Sequence, residues 1–287
     1  MKRQPLYVEI IINCDLDTLW TYTQDPVTHQ QWDLRFSKIE YLPKESPTDP
    51  QKFLYSTKIG FGIKVNGIGE SVGTKTKNNG ESTSAFKFSS DNKLSIIKQG
   101  SGYWKYVPES DGIKFYTSYD YETRWGIFGQ VFDKYVFRPL MVRATAWSFD
   151  NLKNWIEKGL HPKQAIKAKL TVMLSGIVLC LVWIYQGLIP KLLFPDNGEI
   201  EILEQSGLFG GNERYVLTFI GGAEILFGLI ILFVHNKSIH VINIIALLLL
   251  SVGVVVCDTT IFTHPFNPFS LNISMIGISI IALLYIE

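Results

Sequence analysis

Glu224 is the residue whose type and position constrain the chemistry of this sequence most. It lies eight positions inside an apolar run, Val216–Val234, about 12 Å along a helix that rises 1.5 Å per residue. An ionised carboxylate at that depth in a membrane is costly without a partner. Running the apolar segments of the C-terminal half in alternating directions brings Tyr185, Gln186, Lys191, Asp258 and His264 to the same outer side. A polar cluster there could be a structural ion pair, or a ligand or proton site. Lys191 follows Pro190 at a helix end, where its stem can lie along lipid and its ammonium reach headgroups. Pairing of Lys191 with Glu224 is the sharper expectation.

A second set of candidates lies in the N-terminal half. Arg35, Glu70 and Arg124 sit among strand-like residues and could position the polar end of a ligand if they point inward. Aromatic residues are dense there, and Tyr55, Trp104 and Tyr119 are read with those charges as ligand-binding candidates. The glycines Gly60, Gly62, Gly67, Gly69 and Gly73 lack the Lys-Ser/Thr of a phosphate loop and the strand-to-helix setting of a dinucleotide fold. They are expected to bend and bulge strands. The five histidines have no metal spacing, and neither G-x-S-x-G nor H-E-x-x-H occurs. The reading therefore assigns no catalytic residue, no metal and no identifiable cofactor. Cys14, Cys180 and Cys257 are far apart and odd in number, which excludes a disulfide framework.

The elements that must hold these residues follow from the charge distribution. The 287 residues carry 27 Lys and Arg against 26 Asp and Glu, a balance without the basic footprint of a nucleic-acid-binding protein. Residues 1–169 hold 24 basic and 18 acidic side chains, whereas the remaining 118 residues hold 3 and 8. Four apolar runs fill that second part: Leu170–Ile189, Val216–Val234, Ile239–Cys257 and Phe269–Ile286. Each is long enough, at roughly 30 Å as a helix, to cross a bilayer. Lys153, Lys158, Lys163, Lys167 and Lys169 precede the first run and Lys237 lies in the second loop, against Lys191 and Arg214 in the acidic first loop. The excess of basic residues places the N-terminal domain in the cytoplasm, and an even number of spans returns the C-terminus to the same side.

In the N-terminal part, Tyr7–Asn13 reads as a strand running into a short helix capped by the carboxylates of Asp15 or Asp17 and ending near Asp25-Pro26. A second short turn passes through Gln31-Trp32. From Phe36 to Glu122 about six antiparallel strands are expected, with tight turns at Lys-Asn-Asn-Gly-Glu (77–81) and Ser-Asp-Gly-Ile (110–113). Phe128–Lys158 then reads as a helix with an apolar stripe of Val136, Phe137, Leu140, Val142, Trp147, Leu152 and Trp155, interrupted by Pro139.

That element order, with the Ile-Ile-Asn-Cys-Asp-Leu-Asp-Thr-Leu-Trp opening (11–20) and the Asp-Pro and Gln-Trp-Asp stretches (25–33), resembles the START-like superfamily, also called polyketide cyclase-like or helix-grip. The C-terminal part resembles the DoxX-like four-helix membrane family. The signs are Trp183-Ile-Tyr-Gln-Gly-Leu-Ile-Pro-Lys191, an acidic connector, and Ile220-Gly-Gly-Ala-Glu224-Ile-Leu-Phe-Gly228. The fold expected is an α+β sandwich over residues 1–159, a basic connector at 160–169, and an all-α four-helix transmembrane bundle over 170–287.

The START-like resemblance implies a curved sheet around a long helix, enclosing a pocket for a hydrophobic small molecule or lipid. Membrane lipid is thus the expected partner, in a bacterial inner membrane. The DoxX-like resemblance implies a rival reading, a quinone-linked oxidoreductase subunit, although no redox cysteine pair, haem-ligand pair or flavin motif accompanies it. Four spans without a readable repeat argue against a lone transporter, which would have to act as a homo-oligomer.

Overall fold

β1 (Leu6–Ile12) takes the β-branched run near the N-terminus, with Leu6, Val8 and Ile12 buried and Tyr7, Glu9 and Ile11 facing out. The Asp15 carboxylate then accepts from the Thr18 amide at 2.7 Å and starts α1 (Leu16–Gln24). Asp25 caps α2 (Pro26–Trp32) in the same way through the Thr28 amide, with Pro26 in the first turn where no amide donor is needed. The computed structural model describes residues 4–60, 62–196, 198–257 and 267–286. They divide into a unit ending at Ala165 and a unit beginning at Ile166.

Six further strands follow α2: β2 (Lys38–Tyr41), β3 (Gln51–Gly60), β4 (Ile63–Thr76), β5 (Ser82–Ser89), β6 (Ile97–Glu109) and β7 (Gly112–Thr123). They make one antiparallel sheet in the order β1-β7-β6-β5-β4-β3-β2. The tight turns fall where Asn, Asp and Gly marked them, with Gly80 and Gly112 at φ 83° and 128°. A register shift at Lys58/Gly60 bulges the β3–β4 pair, and one at Ser71/Gly73 bulges the β4–β5 pair. Gly67 and Gly69 lie beneath the rings of Tyr55 and Phe53, and Gly100 beneath that of Phe88. A strand glycine here makes room for a neighbouring aromatic ring.

The segment after β7 is helical throughout, as periodicity predicts, but not uniformly α-helical. α3 (Gly126–Phe132) passes through a π-helical turn, Asp133–Phe137, into α4 (Arg138–Lys158). Pro139 does not interrupt the helix, because it occupies the first turn of α4. Val136 and Leu140 are exposed, while Phe149 and Leu152 of α4 are buried with Ile12, Leu19, Trp32, Trp104, Tyr106 and Phe115 in the core between α4 and the inner face of the sheet. Gly159, at φ 67°, ends α4. A sheet that closes its first strand on its last and grips a C-terminal helix is the START-like α+β fold.

Among the described residues, every regular element of the second unit is a helix. α5 (Pro162–Gln186) continues as a π-helical segment, Gly187–Leu193, followed by α6 (Glu199–Gln205), α7 (Glu213–Phe233), α8 (Lys237–Cys257) and α9 (Pro268–Tyr285). By length and composition Pro162–Leu193, α7 and α9 can each cross a membrane, and α8 is a fourth apolar helix. Leu179, Trp183, Ile231, Leu247 and Met275 form their common core. α6 breaks the expected acidic connector with a short helix, Glu199 and Glu201 in its first turn.

Candidate functional site

The inner face of the START-like sheet carries a charged cluster inside an aromatic wall. Asp33, at the C-terminal end of α2, has a fully buried carboxylate. Arg35 donates to it twice, Nε to Oδ1 at 2.8 Å and a terminal nitrogen to Oδ2 at 2.6 Å. His29, one helical turn before Asp33, donates from Nε2 to Oδ2 at 3.0 Å, since a carboxylate can only accept. Ser148 of α4 donates to the Ala144 carbonyl at 2.7 Å, accepts from the Leu34 amide at 2.9 Å and stands 3.4 Å from Oδ1, so the long helix braces the loop that holds the cluster.

Burial works against the charge on Asp33, but Arg35 and then His29 more than offset it, and the pKa of the carboxyl lies below its ordinary value. Burial likewise lowers the pKa of His29, with the positive Arg35 nearby reinforcing the shift against the opposing pull of Asp33. The imidazole is therefore neutral at neutral pH.

Aromatic rings surround these groups. The His29 ring lies 4.9 Å, centroid to centroid, from both Trp32 and Trp104. The Arg35 guanidinium stands 5.6 Å from the ring centroids of Phe36 and Tyr119. Phe36 meets Tyr55 edge-on at 5.6 Å. Trp104 is buried, yet its Nε1–H has no hydrogen-bond partner among the described residues. Towards β3 and β5 the wall opens, and Phe53, Tyr55, Phe86 and Phe88 are only half-buried.

Of the ligand-binding candidates, Arg35, Tyr55, Trp104 and Tyr119 are therefore brought together. Glu70 and Arg124 are not. Glu70 faces outward next to Gly69, in a cross-strand row with Lys52, Lys87, Ser101 and Asp120 that lines an open cleft of about 680 Å³. Arg124 donates to the Ser90 carbonyl and holds the β5–β6 loop. His29 and Asp33 complete the inner cluster and were missed. The signal was their i, i+4 spacing on a helix capped by Asp25, with a basic residue two positions further on.

In the helical unit the Lys191 ammonium lies 3.1 Å from Glu224 Oε2 and 3.2 Å from Glu199 Oε2. Pro190 has no amide to donate within the π-helical segment, and the Gln186 carbonyl four residues before it receives Lys191 Nζ at 3.3 Å. Gly187 and Gly221 let the two helices approach. A Cβ on Gly221 would stand 2.8 Å from the Gly187 carbonyl oxygen and 3.0 Å from Lys191 Cβ. Gly228 gives similar room to Trp183. Tyr185 points away and is exposed, and Gln186 joins through its backbone. Asp258 and His264 lie outside the described residues.

A second polar chain, missed because each member is uncharged, crosses the bundle core. Trp183 Nε1 donates to Asn243 Oδ1 at 2.7 Å, and Asn243 Nδ2 donates to Ser279 Oγ at 2.8 Å. Asn272 donates to Ser251 Oγ at 2.9 Å.

The uncharacterized membrane protein YndG of Bacillus subtilis (strain 168) is 48% identical over 188 residues, 65% of this chain and 70% of the relative. The chain belongs to that membrane-protein family. Residues 180–280 match the DoxX-like family, so the segment holding Lys191, Glu224 and Asn243 is DoxX-like. Among solved structures, the STAR-related lipid transfer protein of Xanthomonas axonopodis is similar over 52% of this chain and 82% of its own, at 15% identity and a TM-score of 0.42. The Zhui aromatase/cyclase of Streptomyces sp. R1128 is similar over 54% and 96%, at 12% identity and a TM-score of 0.39.

Proposed function

We propose that the START-like unit binds a hydrophobic small molecule or lipid on the inner face of its sheet. The observation that carries this is the half-buried aromatic surface of Phe53, Tyr55, Phe86 and Phe88 beside a buried cluster that leaves the Trp104 Nε1–H unsatisfied. A mainly apolar surface with a few convergent polar groups is the usual make-up of a small-molecule site. An indole donor with no acceptor among the described residues suits an oxygen on the ligand.

Catalysis is not required by this arrangement. A quinone-linked role would have to use Glu224, whose carboxylate already has Lys191 as counter-ion, so the geometry favours ligand binding. The positive-inside distribution supports a cytoplasmic START-like unit in a bacterial inner membrane. Lys191 is taken up by Glu224 and Glu199, which leaves Arg214 as the lone basic residue of the first loop against Lys153, Lys158, Lys163, Lys167, Lys169 and Lys237.

The test is photolabelling of the full chain in nanodiscs with a diazirine fatty acid, followed by peptide mapping. Labels on β3 and β5 that are lost in Phe88→Asp are expected. Saturating probe that leaves both strands unlabelled, with no hydrophobic molecule retained by the purified chain in mass spectrometry, overturns the reading. Thiol labelling of a cysteine placed at Asp111 in sealed cells tests the orientation, and modification from outside refutes it.

A further inference from the structure

The chain leaves β7 through two successive left-handed residues, Trp125 at φ 63° and Gly126 at φ 54°. Trp125 is the only non-glycine residue with positive φ among those described, and this sharp turn directs α3 away from the strand. The segment that follows is apolar on both of its sides. Phe137, Met141 and Val142 pack inward against Tyr119 and Tyr121. Outward, Ile127 is 77% exposed, Phe128 87% and Tyr135 68%, with Trp125, Val131, Phe132, Val136 and Leu140 also exposed. Their spacing of three to four residues draws one continuous apolar stripe along α3, the π-helical turn and the start of α4. A patch of that kind on a folded domain marks a contact surface.

The charges beside the stripe say what the contact is. Between Trp125 and Arg143 the acidic residue is Asp133, which is buried and accepts from the Tyr121 hydroxyl at 2.6 Å. The exposed charges are Lys134 and Arg143, both basic. Aromatic and aliphatic side chains flanked by basic ones, with the partly exposed Asp120 carboxylate of β7 paired to Arg138 at 3.5 Å, suit the headgroup–acyl boundary of an anionic bilayer. Tryptophan and tyrosine favour that same zone, one end apolar and the other wet. The same polypeptide enters a membrane through its apolar helices, so such a surface is always at high local concentration.

We infer that residues 125–143 form an interfacial anchor, which inserts its Ile127, Phe128, Val131, Phe132 and Tyr135 face into the surface of an anionic lipid bilayer. The anchor is independent of what the inner face of the sheet binds. Its stripe continues into α4, whose opposite side touches the aromatic interior through Met141 and Val142.

The test uses the full chain in nanodiscs of phosphatidylcholine and phosphatidylglycerol. With Cys14, Cys180 and Cys257 replaced by Ser, a nitroxide is placed in turn at Ile127, Phe128, Val131 and Tyr135, and at Asp111 in the β6–β7 turn as control. The four anchor positions are expected to be open to molecular oxygen and closed to a water-soluble nickel chelate, with the reverse at Asp111. Nickel access at Phe128 equal to that at Asp111 puts the segment in water and overturns the inference. Exclusion of both reagents puts it against protein, a second copy or another part of this chain, and overturns it equally. The unsubstituted chain gives a second reading with a phospholipid that carries a diazirine in its acyl chain. Peptide 125–143 should be labelled alongside α7, and Phe128→Asp with Phe132→Asp should abolish the first label and keep the second. Labelling of α7 without 125–143 in the unsubstituted chain refutes the anchor.

Discussion

Lys191 Nζ stands 3.1 Å from Glu224 Oε2 and 3.2 Å from Glu199 Oε2, so a single ammonium serves two carboxylates contributed by two different helices. Lys191 and Glu224 are each about nine-tenths buried, whereas Glu199 is 30% exposed. Removing either buried member therefore leaves unequal debts. Glu224→Gln keeps the shape of the side chain and leaves Lys191 with Glu199. Lys191→Met strands a buried carboxylate.

The glutamine variant should lose about 1–2 kcal/mol, and the methionine variant about 3 kcal/mol or more. The double variant should recover part of the larger loss. Unfolding in detergent by thermal or denaturant titration reads all three. Equal midpoints for the wild type and both single variants would show that the pair contributes nothing to stability.

Acid should weaken the START-like unit in two stages. His29 is held below its ordinary pKa, first by burial, so the unfolded chain takes up a proton from about pH 6.5 downwards while the folded imidazole does not. Asp33 is also lowered, its burial penalty outweighed by Arg35, and its contribution is complete above about pH 4 and lost as pH falls further. Both terms make stability fall as pH falls. Tryptophan fluorescence during urea unfolding at pH 7.5, 5.5, 4 and about 2.5 should show a steady decline, the first stage between the first three points and the second below pH 4. His29→Gln should remove the first stage, and Asp33→Asn should cost about 3 kcal/mol at pH 7.5 and flatten the second. A wild-type midpoint unchanged between pH 7.5 and 4 would contradict the assignment.

What the sequence made legible was whatever repeats or punctuates. Period-2 runs between Asn-Gly and Asp-Gly turns gave the strands of the meander, and uniform apolarity gave the membrane helices. Lys191 with Glu224 stood out because a charge in an apolar run is conspicuous. Asp33 did not, since an acid beside Trp32 in a soluble domain looks like surface until the fold turns it inward and Ser148, 115 residues later, closes over it. The π-helical turns at 133–137 and 187–193 have no period of their own to read. Glu70 and Arg124 were drawn into the site because alternation tells that neighbours face opposite ways, not which way each faces. Gly69, beneath the Phe53 ring, settles the face of Glu70.

The uncharged chain Trp183–Asn243–Ser279 should matter more than its chemistry suggests. Asn243 uses its oxygen for one helix and its nitrogen for another, so it ties α5, α8 and α9 at one point. Interhelical hydrogen bonds in membranes are worth about 0.6–2 kcal/mol. Asn243→Leu should lose both, roughly 1–3 kcal/mol in all with the packing change, and Ser279→Ala about 1 kcal/mol. Denaturation in mixed micelles measures this, and an Asn243→Leu variant as stable as the wild type would show the chain to be dispensable.

Neighbouring glycines offer the sharpest contrast. Gly221 faces the π-helical segment, where a new Cβ would press on the Gly187 carbonyl at 2.8 Å and on Lys191 Cβ at 3.0 Å, while Gly222 has nothing within 4 Å. Backbone carbonyls cannot yield as a flexible side-chain tip can, so Gly221→Ala must spread α7 from α5's continuation and lengthen the Lys191–Glu224 pair at about 1–3 kcal/mol. Gly222→Ala meets no obstacle and gains up to about 1 kcal/mol of helix propensity. Thermal unfolding in one detergent should therefore move in opposite directions for two adjacent, chemically identical substitutions. Combining Gly221→Ala with Glu224→Gln should cost less than the two losses added, because the first already loosens what the second removes. Strict additivity would separate the glycine contact from the ion pair and show that close helix approach is not what seats Lys191 beside Glu224.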